Sequence, residues 1–220
     1  MNKYDDYFKR RFNLSLLQVI DKLKLNYDED IIQVLLMTDE REITENRGLY
    51  SKLLTLTHNR DNRSILQFAQ EIIGSWICED FIKRILEKFN NVKLIHNGSD
   101  ANRTFQYANR VSSNSDFIIE FPNGVKRNLE LQISLTDYYD RVPEVFIRDN
   151  KLQKMINNEA LFLVVDLHSE YMYLWDFNTN NYMYRESPAS EHPWLNKDGY
   201  QLYLGDRTKY KLTKNIFCAK

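Results

Sequence analysis

The sequence predicts a mixed α/β (α+β) fold, a central mixed β-sheet flanked by helices with a helical N-terminal region. Three observations predict it. Residues 65–89 carry apolar side chains at helical spacing throughout. Residues 115–133 read as two alternating strands joined by Pro122-Asn123-Gly124, a tight-turn signal. Leu161-Phe-Leu-Val-Val165 is a short apolar run, the pattern of a strand buried on both faces.

The elements follow in order. Leu16, Leu17, Ile20 and Leu23, then Ile31, Ile32, Leu35 and Leu36, make residues 1–37 helical. Residues 38–48 are charged and end in Arg47-Gly48, so a loop is expected before a short helix over 49–57. Residues 57–64 are polar without periodicity, an exposed loop, and Ser64 is placed to cap the next helix. That helix carries Ile65, Ala69, Ile72, Ile73, Trp76, Ile77, Ile82, Ile85, Leu86 and Phe89 at its period. A strand over 92–96 and a turn over 97–103 precede the hairpin. A helix over 146–158 then leads to the buried strand 161–165, and the strand–helix–strand order from 128 to 166 predicts a parallel crossover. Residues 171–177 form a further strand, and the Tyr-rich remainder carries short strands. The expected organisation is a helical region 1–64, a core 65–177 and an extension 178–220, together one compact domain.

The balance of 30 Lys+Arg against 31 Asp+Glu argues against binding nucleic acid through bulk positive charge, while allowing a local basic surface. Two cysteines make neither a disulfide framework nor a thiolate zinc site, and a reduced, cytoplasmic chain is expected. The first residues are charged, which predicts no signal peptide, and no apolar run is long enough to span a membrane. His58, His96, His168 and His192 show no metal-ligand spacing, and no Gly-rich phosphate loop is present, so no ATP dependence is expected.

The hairpin carries the chemistry. Asp116 and Glu130 are equidistant in sequence from Asn123, so a symmetric hairpin sets them opposite each other. Period-2 alternation puts Phe117, Ile119, Phe121, Leu129, Leu131 and Ile133 on one face, the core face. Asp116, Glu120, Asn128, Glu130 and Gln132 fall on the other. Two carboxylates about 5 Å apart repel unless a cation lies between them. Mg²⁺ takes one or two carboxylates with water and phosphate, so Asp116 and Glu130 form a candidate Mg²⁺ site, with Mn²⁺ a possible substitute. Spacing alone describes equally a solvated polar face. Glu79 falls within the apolar arc of helix 65–89, where it needs a second metal, a lysine, or an edge position that reaches solvent.

Asp116, thirteen residues, then Glu130-Leu131-Gln132, with an acid on the preceding helix, resembles the PD-(D/E)XK nuclease superfamily. The match covers about residues 65–177 and includes the order helix–strand–hairpin–helix–strand. Ser115 stands where the family often has Pro, and Gln132 where Lys is usual. Lysine supplies a positive charge that glutamine cannot. Some restriction endonucleases of this superfamily carry Gln there and remain active. The resemblance implies a PD-(D/E)XK nuclease core and the catalytic set Asp116, Glu130, Gln132 and Glu79. Asp116, Glu130, the Leu131 carbonyl and Glu79 would hold metal, and Gln132 would orient the attacking water. The implied enzyme is a prokaryotic type II restriction endonuclease, a homodimer acting on double-stranded DNA at a short palindromic site. A structure-specific or repair nuclease of the same superfamily, and a non-catalytic DNA- or partner-binding module, are the alternatives.

DNA contacts are expected from Arg and Asn, the commonest base readers, and from Lys and Arg on phosphates. Asn59, Arg60 and Arg63 stand in one polar loop, and Asn102 and Arg103 in another. Arg148, Lys151 and Lys154 recur every three residues along one side of helix 146–158, a phosphate-contacting stripe or a solvated face.

Overall fold

The computed structural model describes residues 2–56, 63–105, 114–179, 184–187 and 199–217. The chain divides into two units, Met1–Arg84 with Asn97–Asn114, and Ile85–His96 with Ser115–Lys220. The Asn59 and Arg60 expectations lie outside the described residues.

The first unit is helical. The expected helical stretch 1–37 is broken into α1 (Lys3–Phe12), α2 (Leu16–Leu23) and α3 (Glu29–Leu36). The breaks have local causes. Asn2 caps α1 by accepting from the Tyr4 amide, and Asn13 ends it in the left-handed region at φ 54°. Ser15 and Gln18 then form a capping box that starts α2. Residues 38–48 are not the expected loop. They hold α4 (Glu40–Glu45), opened by a second capping box of Asp39 and Glu42, and the start of α5 (Arg47–Leu56).

The long helix α6 (Ile65–Asn90) starts where expected, with the Gln67 amide donating to Ser64 Oγ at 3.1 Å. Of the apolar positions on its period, Ile72 and Ile85 are half-buried and Phe89 is exposed, whereas Ile65, Ala69, Ile73, Trp76, Ile77, Ile82 and Leu86 are buried. Cys78 is packed among them, and burial pushes its thiol well above the ordinary range. Gly74 interrupts a helix interior because a Cβ there would lie 2.5 Å from Tyr4 Cδ2 of α1. Gly74→Ala is therefore expected to destabilise the protein by about 1–3 kcal/mol, overpacking outweighing the gain in helix propensity. A lower urea midpoint at unchanged slope would show this, whereas a higher midpoint would mean that α1 yields easily.

The second unit holds β1 (Lys93–His96), β2 (Phe117–Glu120), β3 (Lys126–Ser134), α7 (Tyr138–Arg141), β4 (Glu144–Arg148), α8 (Asp149–Asn157), β5 (Leu161–Asp166), β6 (Tyr171–Asp176), β7 (Arg185–Ser187), β8 (Gly199–Tyr203) and β9 (Tyr210–Lys211). The main sheet runs β1-β2-β3-β5-β6-β9. It is mixed: β2 and β3 pair antiparallel, β3 and β5 parallel. All six residues of β5 are buried, as expected of a central strand. The smaller sheet, β4-β8-β7, takes β7 and β8 from the Tyr-rich remainder, where short strands are expected, while its third strand, β4, is not expected. Residues 144–148 form a strand rather than the start of helix 146–158, because Val145 and Ile147 alternate into the core while β4 pairs with β8. Helix α8 begins only at Asp149.

Arg127 ties the main sheet together. Its guanidinium donates to both carboxylate oxygens of Asp176 at the end of β6 and to the Glu159 carbonyl. Hydrogen bonds from Arg127 hold the Asp176 carboxyl below the usual carboxylate range. A depressed folded-state pKa contributes stability above the unfolded pKa that is lost as pH falls. Asp176→Asn should therefore lower stability at pH 7, and its deficit against the parent should narrow as pH drops through the acidic range. A deficit independent of pH would refute the ion pair as the cause. Among the described residues, no helix is long and apolar enough to cross a membrane.

Candidate functional site

The hairpin turn positions the site. Phe121, Pro122, Asn123 and Gly124 close it, with the Gly124 amide donating to the Phe121 carbonyl and Gly124 at φ 81°. The register is symmetric about Asn123: Phe117 pairs with Leu129, Ile118 with Asn128, Ile119 with Arg127 and Glu120 with Lys126. The ladder ends at the Phe117–Leu129 pair, and Asp116 and Glu130 are the residues that immediately flank it. The strands are tied there by the Leu131 amide, which donates to Asp116 Oδ2 at 2.7 Å.

The faces sort by alternation in the middle of the hairpin and less at its ends. Phe117, Ile119, Leu129 and Leu131 are buried, whereas Phe121 and Ile133, expected on the same core face, are intermediate, like Asp116, Ile118, Glu120, Asn128, Glu130 and Gln132 on the other. In the parallel register Glu130 lies beside Phe162 and Gln132 beside Val164. Phe162 and Val164 belong to one core cluster with Leu152 and Met155 of α8 and with Tyr139. The acidic face of the hairpin therefore continues into the face that α8 covers. Lys151, one residue before Leu152, reaches back to it. Its Nζ lies 2.7 Å from Glu130 Oε1, and the Glu130 side chain is only 12% exposed. The Gln132 amide donates to the Tyr139 hydroxyl at 3.1 Å, and burial raises that phenol well above its ordinary pKa, so it stays protonated.

Asp116, Glu130, Gln132 and Lys151 thus all lie in the second unit, with Lys151 paired to Glu130 and Asp116 bonded to the Leu131 amide. The expected stripe of Arg148, Lys151 and Lys154 is shortened, because Arg148 ends β4 and precedes the first turn of α8. Lys151 and Lys154 remain at helical spacing. Two partners are new to the site, Tyr139 for Gln132 and Lys151 for Glu130. Tyr139 sits in a four-residue helix with no periodic signal. Lys151 carries a sequence signal only as a member of a basic stripe.

Glu79 and Arg103 meet in the first unit. Arg103 Nη1 lies 2.9 Å from Glu79 Oε2 and 3.5 Å from Asp100 Oδ2, and Nε lies 3.4 Å from Asp80 Oδ2. Tyr27 donates to Asp80 at 2.7 Å, and the Trp76 indole donates to Asp100. The cation that Glu79 needs on an apolar arc is a guanidinium, not a lysine. Arg103 is 6% exposed, so the expectation of a loop arginine presented to bases is corrected to a buried ion-pair hub. Burial disfavours its charge, but Glu79 and Asp80 outweigh this and raise its pKa. Asn102 beside it is exposed. Arg63 pairs with Glu71 at 2.6 Å and lies over the Phe68 ring.

The oxygen donors at the end of the hairpin, the Asp116 and Glu130 carboxylates and the Leu131 carbonyl, are of the hard kind that a divalent ion takes. Among the described residues, no group of three or more His, Cys, Asp and Glu could hold a metal. No family model matches the chain, and neither a curated protein nor a solved structure matches it significantly.

Proposed function

We propose that the chain is a Mg²⁺-dependent nuclease with a PD-(D/E)XK core, cutting double-stranded DNA as a type II restriction endonuclease does. The observation that supports this reading is the hairpin, symmetric about Asn123, whose last ladder pair is flanked by Asp116 and Glu130, with the Leu131 amide bonded to Asp116 and Gln132 beside a parallel crossover strand. Asp116, Glu130 and the Leu131 carbonyl would hold the metal. Bound Mg²⁺ supplies charge to the scissile phosphate and makes a bound water more acidic.

The residues do the rest. The Leu131 amide fixes the Asp116 carboxylate against β3. The Gln132 side chain, donating its NH₂ to Tyr139, directs its amide oxygen as the acceptor that orients the attacking water. Lys154 on α8 offers a phosphate contact. The water oxygen bonds to phosphorus, the P–O3′ bond breaks, one proton leaves the water and one reaches the 3′ oxygen. The products are a 5′-phosphate and a 3′-hydroxyl. Cutting both strands of a palindrome calls for two sites related by a two-fold axis, hence a homodimer.

Digestion of a set of plasmids with Mg²⁺, Mn²⁺ or EDTA tests the reading. Discrete fragments with either metal and none with EDTA are expected. A smear, or cutting confined to branched substrates, would replace it with a structure-specific nuclease. DNA binding without cutting would replace it with a non-catalytic module.

A further inference from the structure

Gln132 leaves β3 without the positive charge that phosphate chemistry uses, yet the site contains a cation. Lys151 reaches Glu130 from α8 at 2.7 Å, and α8 is anchored over the same sheet face by buried Leu152 and Met155. Lys151 itself remains 41% exposed on its side chain, so it can turn toward solvent or a ligand while its backbone stays fixed. A carboxylate as poorly solvated as Glu130 needs a counter-charge when no metal is bound, and the Lys151 ammonium supplies it. The same Glu130 oxygen cannot bind an ammonium and a divalent ion at once. The Gln132 amide, engaged with Tyr139, cannot take over either role.

We infer that Lys151 is the cation of the active site, paired with Glu130 in the metal-free protein and transferred to the substrate phosphate when a divalent ion takes Glu130. This rests on the nuclease reading above and deepens it. Lys151 then has two jobs in sequence. It competes with metal for Glu130 in the absence of DNA, and it neutralises charge on the reacting phosphate in the complex. A lysine that only contacts the DNA backbone would do neither, contributing affinity that falls with salt.

The test uses the full chain with Mn²⁺ alone as the first probe, titrated by calorimetry without DNA. Lys151→Ala should bind Mn²⁺ about fivefold more tightly than the parent, the size of a partly buried ion pair removed from competition. In single-turnover digestion at saturating plasmid, the same variant should be slower by about a hundredfold, as when one charge-stabilising donor is lost. Lys151→Arg should recover part of that rate. Unchanged or weaker Mn²⁺ binding by Lys151→Ala would overturn the inference, and so would a rate loss that saturating DNA restores. If the parent neither binds Mn²⁺ nor cuts, the nuclease reading fails and takes this inference with it. If the parent does both and Lys151→Ala matches it, only the role of Lys151 fails.

Discussion

Glu130→Gln is expected to slow Mg²⁺-dependent cleavage of duplex DNA by about a thousandfold or more, a loss of about 4 kcal/mol of transition-state stabilisation. The substitution keeps the shape of the side chain and removes only its charge. One of the two carboxylates proposed to hold the metal becomes a neutral amide, and Lys151 loses its carboxylate partner. Duplex binding should change by only a few-fold, because Glu130 repels rather than attracts phosphate. Folding stability should also change little. Relief of repulsion from Asp116 offsets the lost ion pair, and each such effect is of order 1 kcal/mol at a partly solvated site. Rapid-quench cleavage and filter binding on the same preparations separate these effects. A Glu130→Gln variant that cuts at the parental rate would remove the hairpin acids from the chemistry.

Arg103→Met carries the largest expected cost in stability, about 3–5 kcal/mol, enough to unfold a marginal domain in part at 37 °C. Its guanidinium is the cation shared by Glu79, Asp80 and Asp100, and the Glu79 and Asp80 side chains are only 18% and 9% exposed. Methionine fills a similar volume but leaves those carboxylates uncompensated in a poorly solvated place. Arg103 also adopts a left-handed backbone conformation, at φ 52°, which the ion pairs help to hold. Adding Glu79→Gln and Asp80→Asn to Arg103→Met should recover much of the loss, since neutral amides do not need a counter-ion. Urea unfolding of the single and triple variants measures both effects. A single variant within about 1 kcal/mol of the parent would mean that water screens the cluster.

These two sites differ in how far the sequence reveals them. The hairpin is local: a turn centred on Asn123 determines which residues face each other, and the alternation of Phe117, Ile119, Leu129 and Leu131 determines which face is buried. The hairpin register as far as Phe117 and Leu129 is therefore legible from residue spacing. The long helix α6 and the buried strand β5 are legible for the same reason, each carrying its own period. What escapes the sequence is non-local or ambiguous. Strand β4 pairs with Gly199–Tyr203, about fifty residues downstream, and its five residues run directly into α8, so a single helix describes the stretch equally well. Helix α4 does carry a signal, Asp39 three residues before Glu42, hidden by the density of charge around it. Arg103 looks like any arginine in a polar loop. Only tertiary packing against α6 buries it, and no sequence period records that. Lys151 is recognisably basic and helical, but its reach to Glu130 depends on the parallel register that places Phe162 beside Glu130.

The near-equality of acidic and basic residues takes on local meaning. In the first unit Arg103 neutralises an acidic cluster, and in the second Arg127 clamps Asp176 and Lys151 holds Glu130. Several of the cations that a nucleic-acid reading would place on a DNA surface are thus committed to carboxylates, which concentrates the proposed DNA contacts on α8 and on exposed positions such as Asn102.

The most direct test needs no knowledge of a target sequence. Mn²⁺ binding to the DNA-free protein, followed by electron paramagnetic resonance, should show a site in the parent that Asp116→Asn and Glu130→Gln each abolish, with both variants folded by circular dichroism. Parental Mn²⁺ affinity retained in both variants would contradict a metal site between the two strands.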